Sequence, residues 1–118
     1  MSEAQTLSES GTARDLTAFQ RNILMVLTEE SMYGLAIKRE LEDYYGEEVN
    51  HGRLYPNLDT LVERGLVEKS ELDKRTNEYA LSEKGLEAVK DQIAWSLSKF
   101  VTSEERAEKV RSLIESQS

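Results

Sequence analysis

The sequence contains no cysteine, which excludes disulfides, thiolate metal sites and thiol-based redox sensors. It has a single histidine, His51, so no metal site built from clustered histidines fits within one chain. It has one proline, Pro56, so helices can run long. No apolar run approaches the roughly 20 residues that a bilayer-crossing helix needs. The opening Met1-Ser2-Glu3-Ala4-Gln5 lacks the basic and apolar regions of a signal peptide. The expected location is cytoplasmic, with no membrane partner. A phosphate-cradling glycine loop is missing, and no Ser-His pair has an orienting acid, so an enzyme is not expected. Positive charge is also scarce. Lys and Arg number 15 against 23 Asp and Glu, for a net charge of −8 and a pI near 4.7.

That imbalance argues against an ordinary nucleic-acid binder, whose affinity comes mostly from Lys and Arg on phosphates. It also suits a cytoplasm at molar salt, where the Debye length is about 3 Å and self-repulsion is weak. Composition alone leaves both readings open. The 118 residues suffice for one domain with a modest core and a terminal appendage.

Residues 1–14 are rich in Ser, Thr and Glu and poor in apolar side chains, which predicts a disordered tail. A first helix is expected over about 17–30. Thr17 and Gln20 form a capping-box pair, and Phe19, Ile23, Val26 and Leu27 recur at helical spacing. Met32-Tyr33-Gly34 breaks the pattern. A second helix follows over about 34–45, with Leu35, Ile37, Leu41 and Tyr45 as its apolar positions and Gly46 as its stop. A third opens near Asn50, a good cap, and ends at Gly65; its stripe is Leu54, Leu58, Leu61 and Val62. Runs 66–72 and 76–81 around Asp73-Lys74-Arg75 predict a β-hairpin, with Val67, Tyr79 and Leu81 inward. Ser82 caps a fourth helix over about 83–101. Thr102 with Glu105 opens a last one over about 103–116. Three helices, a hairpin and two helices make a mainly α fold with a small β-hairpin. This is the plan of a winged helix-turn-helix domain over residues 15–82, followed by C-terminal dimerisation helices over 83–118.

The segment His51-Gly52-Arg53-Leu54-Tyr55-Pro56-Asn57-Leu58 resembles the G-x-LYP-x-L stretch that opens the recognition helix of PadR-family transcriptional regulators. Three further stretches match in order. Met32-Tyr33-Gly34-Leu35-Ala36-Ile37 is similar to the family's hYGYEI start of helix two. Leu61-Val62-Glu63-Arg64-Gly65-Leu66-Val67 is similar to its LExxGLI passage into the wing, and Tyr79-Ala80-Leu81-Ser82-Glu83-Lys84-Gly85 to its Y-x-LTxxG exit. Together they span about residues 17–86. The acidic character resembles a haloarchaeal version of the family. The resemblance implies a regulator that binds double-stranded DNA as a homodimer, with an oxidative-stress response as its expected setting. The family's Glu after Tyr-Gly is replaced by Leu35-Ala36, which leaves the small-molecule effector an open question.

Opposite the leucine stripe of the third helix lie Arg53, Asn57, Thr60 and Arg64, at i, i+4, i+7 and i+11. Spacing alone fits either a DNA-reading face or a plain solvated one; the resemblance implies the first. Arg pairs well with the guanine edge and Asn with adenine. Asn50 and His51 sit at the amino end, which usually meets base edges. His51 reads as a bystander, a DNA contact or a pH-sensitive group. Tyr55 either packs under the helix or places its hydroxyl on a phosphate. Gly52 and Pro56 read as helix geometry. Asp59 and Glu63 repel phosphate, which confines the reading surface to the N-terminal half. In the wing, Lys74 and Arg75 occupy the tip, either as minor-groove or phosphate contacts or as an ordinary polar turn. Arg14, Arg21, Lys38 and Arg64 are weaker backbone candidates. Residues 50–79 carry five basic and six acidic groups, so the reading surface is near neutral. That points to shape, base contacts and loosely bound cations bridging carboxylates to phosphates, with no other cofactor. On the fourth helix Leu86, Val89, Ile93, Leu97 and Phe100 step by three and four, with Trp95 beside them. This stripe predicts a homodimer interface and half-sites about one helical turn apart. The competing reading is a winged-helix protein-interaction module that binds a basic protein.

Overall fold

A computed structural model describes residues 15–73 and 76–117. The expected tail at 1–14, Arg14, and the wing-tip pair Lys74 and Arg75 lie outside the described residues. The elements run α1 (Ala18–Val26), β1 (Met32–Tyr33), α2 (Gly34–Tyr45), α3 (His51–Glu63), β2 (Val67–Glu71), β3 (Asn77–Leu81), α4 (Glu83–Phe100) and α5 (Glu104–Gln117). The strands form one antiparallel sheet in the order β1-β3-β2.

Thr17 caps α1 with both halves of a capping box. Its Oγ1 accepts from the Gln20 N–H, and Gln20 Oε1 accepts from the Thr17 N–H, each at 3.1 Å. The helix then ends at Val26, four residues short of the expected boundary. Leu27 N–H bonds back to the Leu24 carbonyl and Thr28 N–H to that of Met25. Thr28 Oγ1 also donates to the Met25 carbonyl at 2.8 Å. A hydroxyl competing for a helix carbonyl, and Glu29 and Glu30 at the negative end of the helix dipole, both oppose continuation. A second correction concerns the hairpin. Met32 and Tyr33 pair with Tyr79 and Glu78 of β3, so the wing is the outer part of a three-stranded sheet. A two-residue strand has no period to read in a sequence.

The leucine stripe behaves as its spacing requires: Leu54, Leu58 and Leu61 of α3 are all fully buried, with Ile37 and Leu41 of α2 and Ile23 and Leu24 of α1. Helix α3 ends in a two-bond cap in which Gly65 N–H reaches the Val62 carbonyl and Leu66 N–H that of Leu61. Gly65 takes φ +77°, which suits glycine. Val67 and Tyr79 point inward and Leu81 is partly buried, as hairpin alternation demands.

Ser82 joins α4 to this cap. Its Oγ donates to the Gly65 carbonyl at 2.6 Å and accepts from the Gly85 N–H at 3.0 Å. Only the first half of α4 packs inward, through Gly85, Ala88 and Val89. Val89 was expected on the dimer stripe; it instead belongs to the chain's own core, 5% exposed. The seam spacing puts it in line with Leu86, but the inner turns of α4 lie against the domain. Helix α5 buries nothing. Its cap is also shifted by one from the expected Thr102: Ser103 Oγ accepts from the Arg106 N–H at 3.2 Å.

A methyl group on Gly85 would collide with the Leu66 carbonyl oxygen and approach Leu81 Cδ1 to 2.8 Å. Gly85→Ala is therefore expected to lower unfolding stability by about 1–3 kcal/mol. Gly52→Ala, whose new Cβ meets only the Asn50 Oδ1 at 3.0 Å, should stay within about 0.5 kcal/mol. Denaturant unfolding of both variants reads the difference; equal losses would contradict this packing account.

Candidate nucleic-acid interface

The turn between α2 and α3 sets how α3 is presented. Glu42 Oε2 accepts from Lys38 Nζ at 2.6 Å and from the Val49 N–H at 2.9 Å. The Lys38 ammonium, and then the Val49 N–H, hold the Glu42 carboxyl below its ordinary pKa. Val49 beside it is buried. Asn50 then caps α3, its Oδ1 accepting from the Gly52 N–H at 2.6 Å.

Beyond this cap the exposed side of α3 carries His51 and Arg53, with Tyr55 half-buried. The rings of His51 and Tyr55 stack with centroids 5.5 Å apart and planes 10° apart. The Arg53 guanidinium lies over the Phe19 ring of α1, 3.9 Å from its centroid. Stacking engages the face of a guanidinium and leaves its donor edge for an outside acceptor. His51 and Tyr55 thus share one side of α3, while Arg53, two residues on from His51, lies on another side, against α1.

Other expected contacts are placed differently. Asn57 is held inside the chain: its Oδ1 accepts from Gln20 Nε2 at 3.0 Å and its Nδ2 donates to the Arg53 carbonyl at 2.7 Å. It ties α3 to α1 and does not project as a reader of adenine. The Thr60 hydroxyl donates to the Pro56 carbonyl at 3.0 Å. Arg21 donates to the Leu16 carbonyl at 2.8 Å, and Lys38 is paired with Glu42. Both cations are therefore engaged within the chain. Arg64 is half-buried at the C-cap of α3, far along the helix from His51.

The capping-box spacing marks Gln20 as a cap residue, but it does not reveal a buried glutamine whose amide also holds Asn57. Nor does spacing reveal a cleft of about 340 Å³ between α3, the start of α2 and the root of the wing, lined by Tyr33, Tyr55, Thr76, Asn77 and Tyr79. Gly34 is what lets it form. A Cβ there would lie 2.5 Å from the Tyr55 hydroxyl oxygen, so glycine allows the Tyr55 ring to rest against α2. The Tyr-Gly pair was visible in the sequence; its partner Tyr55, 21 residues on, was not.

Helix α4 presents Leu86 near its start and Ile93, Leu97 and Phe100 in its outer half, each about two-fifths exposed, and Trp95 at 60%. Leu113 and Ile114 of α5 are exposed too. Among the described residues no group of three or more His, Cys, Asp or Glu side chains could hold a metal ion, and no helix is long and apolar enough to cross a membrane.

Residues 23–91 match the transcriptional regulator PadR-like family. Among solved structures, the chain is similar to Halobacterium salinarum RosR, at 70% identity and TM-score 0.85 over 89% of this chain and 96% of that one. It is also similar to the complex hsRosR-S4, at 67% identity and TM-score 0.88 over 92% and 95% of the two chains. Bacillus subtilis PadR in complex with operator DNA shares the fold at 20% identity and TM-score 0.55, over 64% and 46%. No curated protein matches the sequence.

Two outcomes are expected from the anchoring of α3. Glu42, depressed in the native state, adds stability that is present above the ordinary carboxylate pKa and is lost as pH falls through its lower native value. Hydrogen-exchange protection of the Val49 amide should thus fall between about pH 6 and about pH 3. In Glu42→Gln it should be weak at both; equal pH dependence in the two proteins would refute the link. Gln20→Ala and Asn57→Ala should each cost about 1 kcal/mol or more, and the double variant less than their sum, because one of the bonds each loses is shared. Strict additivity in a double-mutant cycle would show that the two side chains act separately.

Proposed function

The chain belongs to the PadR-like family of transcriptional regulators, and we propose that it binds double-stranded DNA sequence-specifically as a homodimer, in the cytoplasm of a high-salt cell. The observation that carries this reading is the amino end of α3, where Arg53, stacked on Phe19, and the His51–Tyr55 stack flank a helix anchored by three fully buried leucines. A helix held this way offers donors to base edges in a major groove. Arg53 supplies a bidentate donor edge, His51 and Asn50 lie at the entering end, and the Tyr55 hydroxyl faces backbone. Thr60 retains an acceptor on the same helix. The fold is shared with a PadR protein held on operator DNA.

In this reading residues 15–82 bind DNA and residues 83–118 join two protomers. The exposed stripe Leu86, Ile93, Leu97 and Phe100, with Trp95, supports the second part, since so much apolar surface on one projecting helix asks for cover. Lys74, Arg75 and Arg14 remain backbone contacts on the strength of their sequence positions. Loosely held cations at the DNA face reconcile a chain of net charge −8 with phosphates. The oxidative-stress setting rests on the sequence resemblance; with no cysteine in the chain, the oxidant signal reaches it by another route.

A second reading has one observation in its favour. Tyr44 is 72% exposed on the outer side of α2, in a sequence neighbourhood that holds Glu40, Asp43, Glu47 and Glu48. An acidic, aromatic surface suits a basic protein partner.

Mobility shift of the full chain on its own gene's upstream region, in about 1 M potassium chloride, separates the two. DNA binding is expected, with Arg53→Ala weakening it about 10-fold or more. Its dependence on salt should be shallow; a steep negative slope would show an ordinary electrostatic clamp. Sedimentation in the same salt is expected to show a dimer for the wild type and a monomer for Leu97→Asp. A wild type that runs as a monomer at micromolar concentration would remove the homodimer.

A further inference from the structure

The cleft between the wing root and α3 has an unusual lining for the surface of so acidic a protein. Tyr33, Leu35, Tyr55, Thr76, Asn77 and Tyr79 line it, with no Asp, Glu, Lys, Arg or His among them. Tyr33 is 47% exposed and Tyr55 half-buried. No described hydrogen bond uses either hydroxyl. The Tyr55 ring forms one wall of the cleft and on its other side continues into the stack with His51, so the cleft opens beside the amino end of α3. Asn77 and Thr76 close it from the wing, where Asn77 opens β3. The charges that act here are unfavourable to an anion: Asp59 lies near enough to raise the Tyr79 phenol, which burial raises first. Glu78, cross-strand partner of Tyr33, accepts from the Ser31 hydroxyl at 3.0 Å. Any ligand held here is held by neutral donors.

We propose that this cleft seats a DNA backbone phosphate through uncharged donors, with the Tyr33 hydroxyl as a contact in addition to that of Tyr55, and Thr76 and Asn77 opposite them. Phenols, hydroxyls and amides are ordinary phosphate ligands in protein–DNA complexes. Because such donors carry no charge, they release no counterions, so their share of the affinity does not fade as salt rises. The neutral seat lies where the recognition helix and the wing converge, and it holds the duplex in register while Arg53 and His51 meet the bases. This inference rests on the DNA-binding reading above and adds a residue, Tyr33, and a mode of contact to it.

The test uses the full chain and two duplexes of equal length, the gene's own upstream region and a scrambled sequence of the same composition, over about 0.2–2 M potassium chloride. Tyr33→Phe keeps the ring and removes the hydroxyl, and its thermal midpoint serves as the folding control. It should weaken binding about three- to tenfold, by the same factor on both duplexes, with the salt slope unchanged. Tyr33→Phe with Thr76→Val should weaken it further in the same manner. Unchanged affinity in Tyr33→Phe, while Arg53→Ala still loses binding, overturns the phosphate seat and leaves the DNA reading standing. So does a loss confined to the upstream duplex, which would make Tyr33 a base reader, or a changed salt slope. Failure of the wild type to bind either duplex at any salt overturns the DNA reading itself, and the seat with it.

Discussion

The attachment of α3 to α1 is the constraint on which the exposed surface depends. Three leucines of α3 reach zero exposure in a core shared with α1 and α2, and this hydrophobic contact fixes which side of the helix faces out. It leaves rotation and sliding only loosely set, because leucines at helical spacing tolerate small shifts. Two polar contacts remove that freedom. Gln20 grips Asn57, and Phe19 carries the Arg53 guanidinium. Both come from adjacent residues at the start of α1, so the capping box that defines that helix also aligns the recognition surface.

The chain's few cations are used economically. Lys38 holds Glu42 in the turn and Arg21 holds the Leu16 carbonyl, so two of the basic residues that a charge tally assigns to phosphates are structural. Arg53 is different, since its partner is an aromatic face and its hydrogen-bonding edge is not consumed. A surface with so little available positive charge cannot draw its affinity mainly from counterion release, least of all near 1 M salt, where that contribution vanishes. Stacked aromatic side chains, a single oriented guanidinium and neutral hydroxyls are contacts whose strength does not depend on dilute salt. The composition and the site geometry therefore agree, although composition alone pointed away from DNA.

The elements that could be read in the sequence are those with a local physical signature. Thr17 and Gln20, Asn50, Ser82 and Gly65 each mark a helix end through a bond or a backbone conformation formed within a few residues. The buried face of α3 followed from period alone. What escaped depends on partners distant in the chain. Strand β1 exists because Tyr79 and Glu78 lie beside it. Asn57 looked like an exposed asparagine at i+4 from Arg53 until Gln20, 37 residues away, was placed against it. Val89 satisfied the seam spacing, but it lies on the half of α4 that the domain itself covers. The four-residue excess given to α1 came from counting Leu27 and ignoring the competing hydroxyl of Thr28.

The placement of Val89 bears on how two protomers would work together. A helix of 18 residues is about 27 Å long, and α4 uses its first turns to clamp onto Leu66 and α1 and its last turns to project an apolar stripe. Residues Ala88, Val89 and Gln92 of α4 face Leu24 and Met25 of α1 across a narrow crevice, and the other end of α1 grips α3. The path from the projecting stripe to Arg53 thus runs through two helices and no flexible loop. If the stripe joins two copies, the separation of their recognition helices is set by this rigid path, and a change in how α4 meets α1 would alter both helices at once. In that arrangement Val89 in the core is more consequential than Val89 on the seam, because it couples the projecting helix to α1, which in turn holds α3.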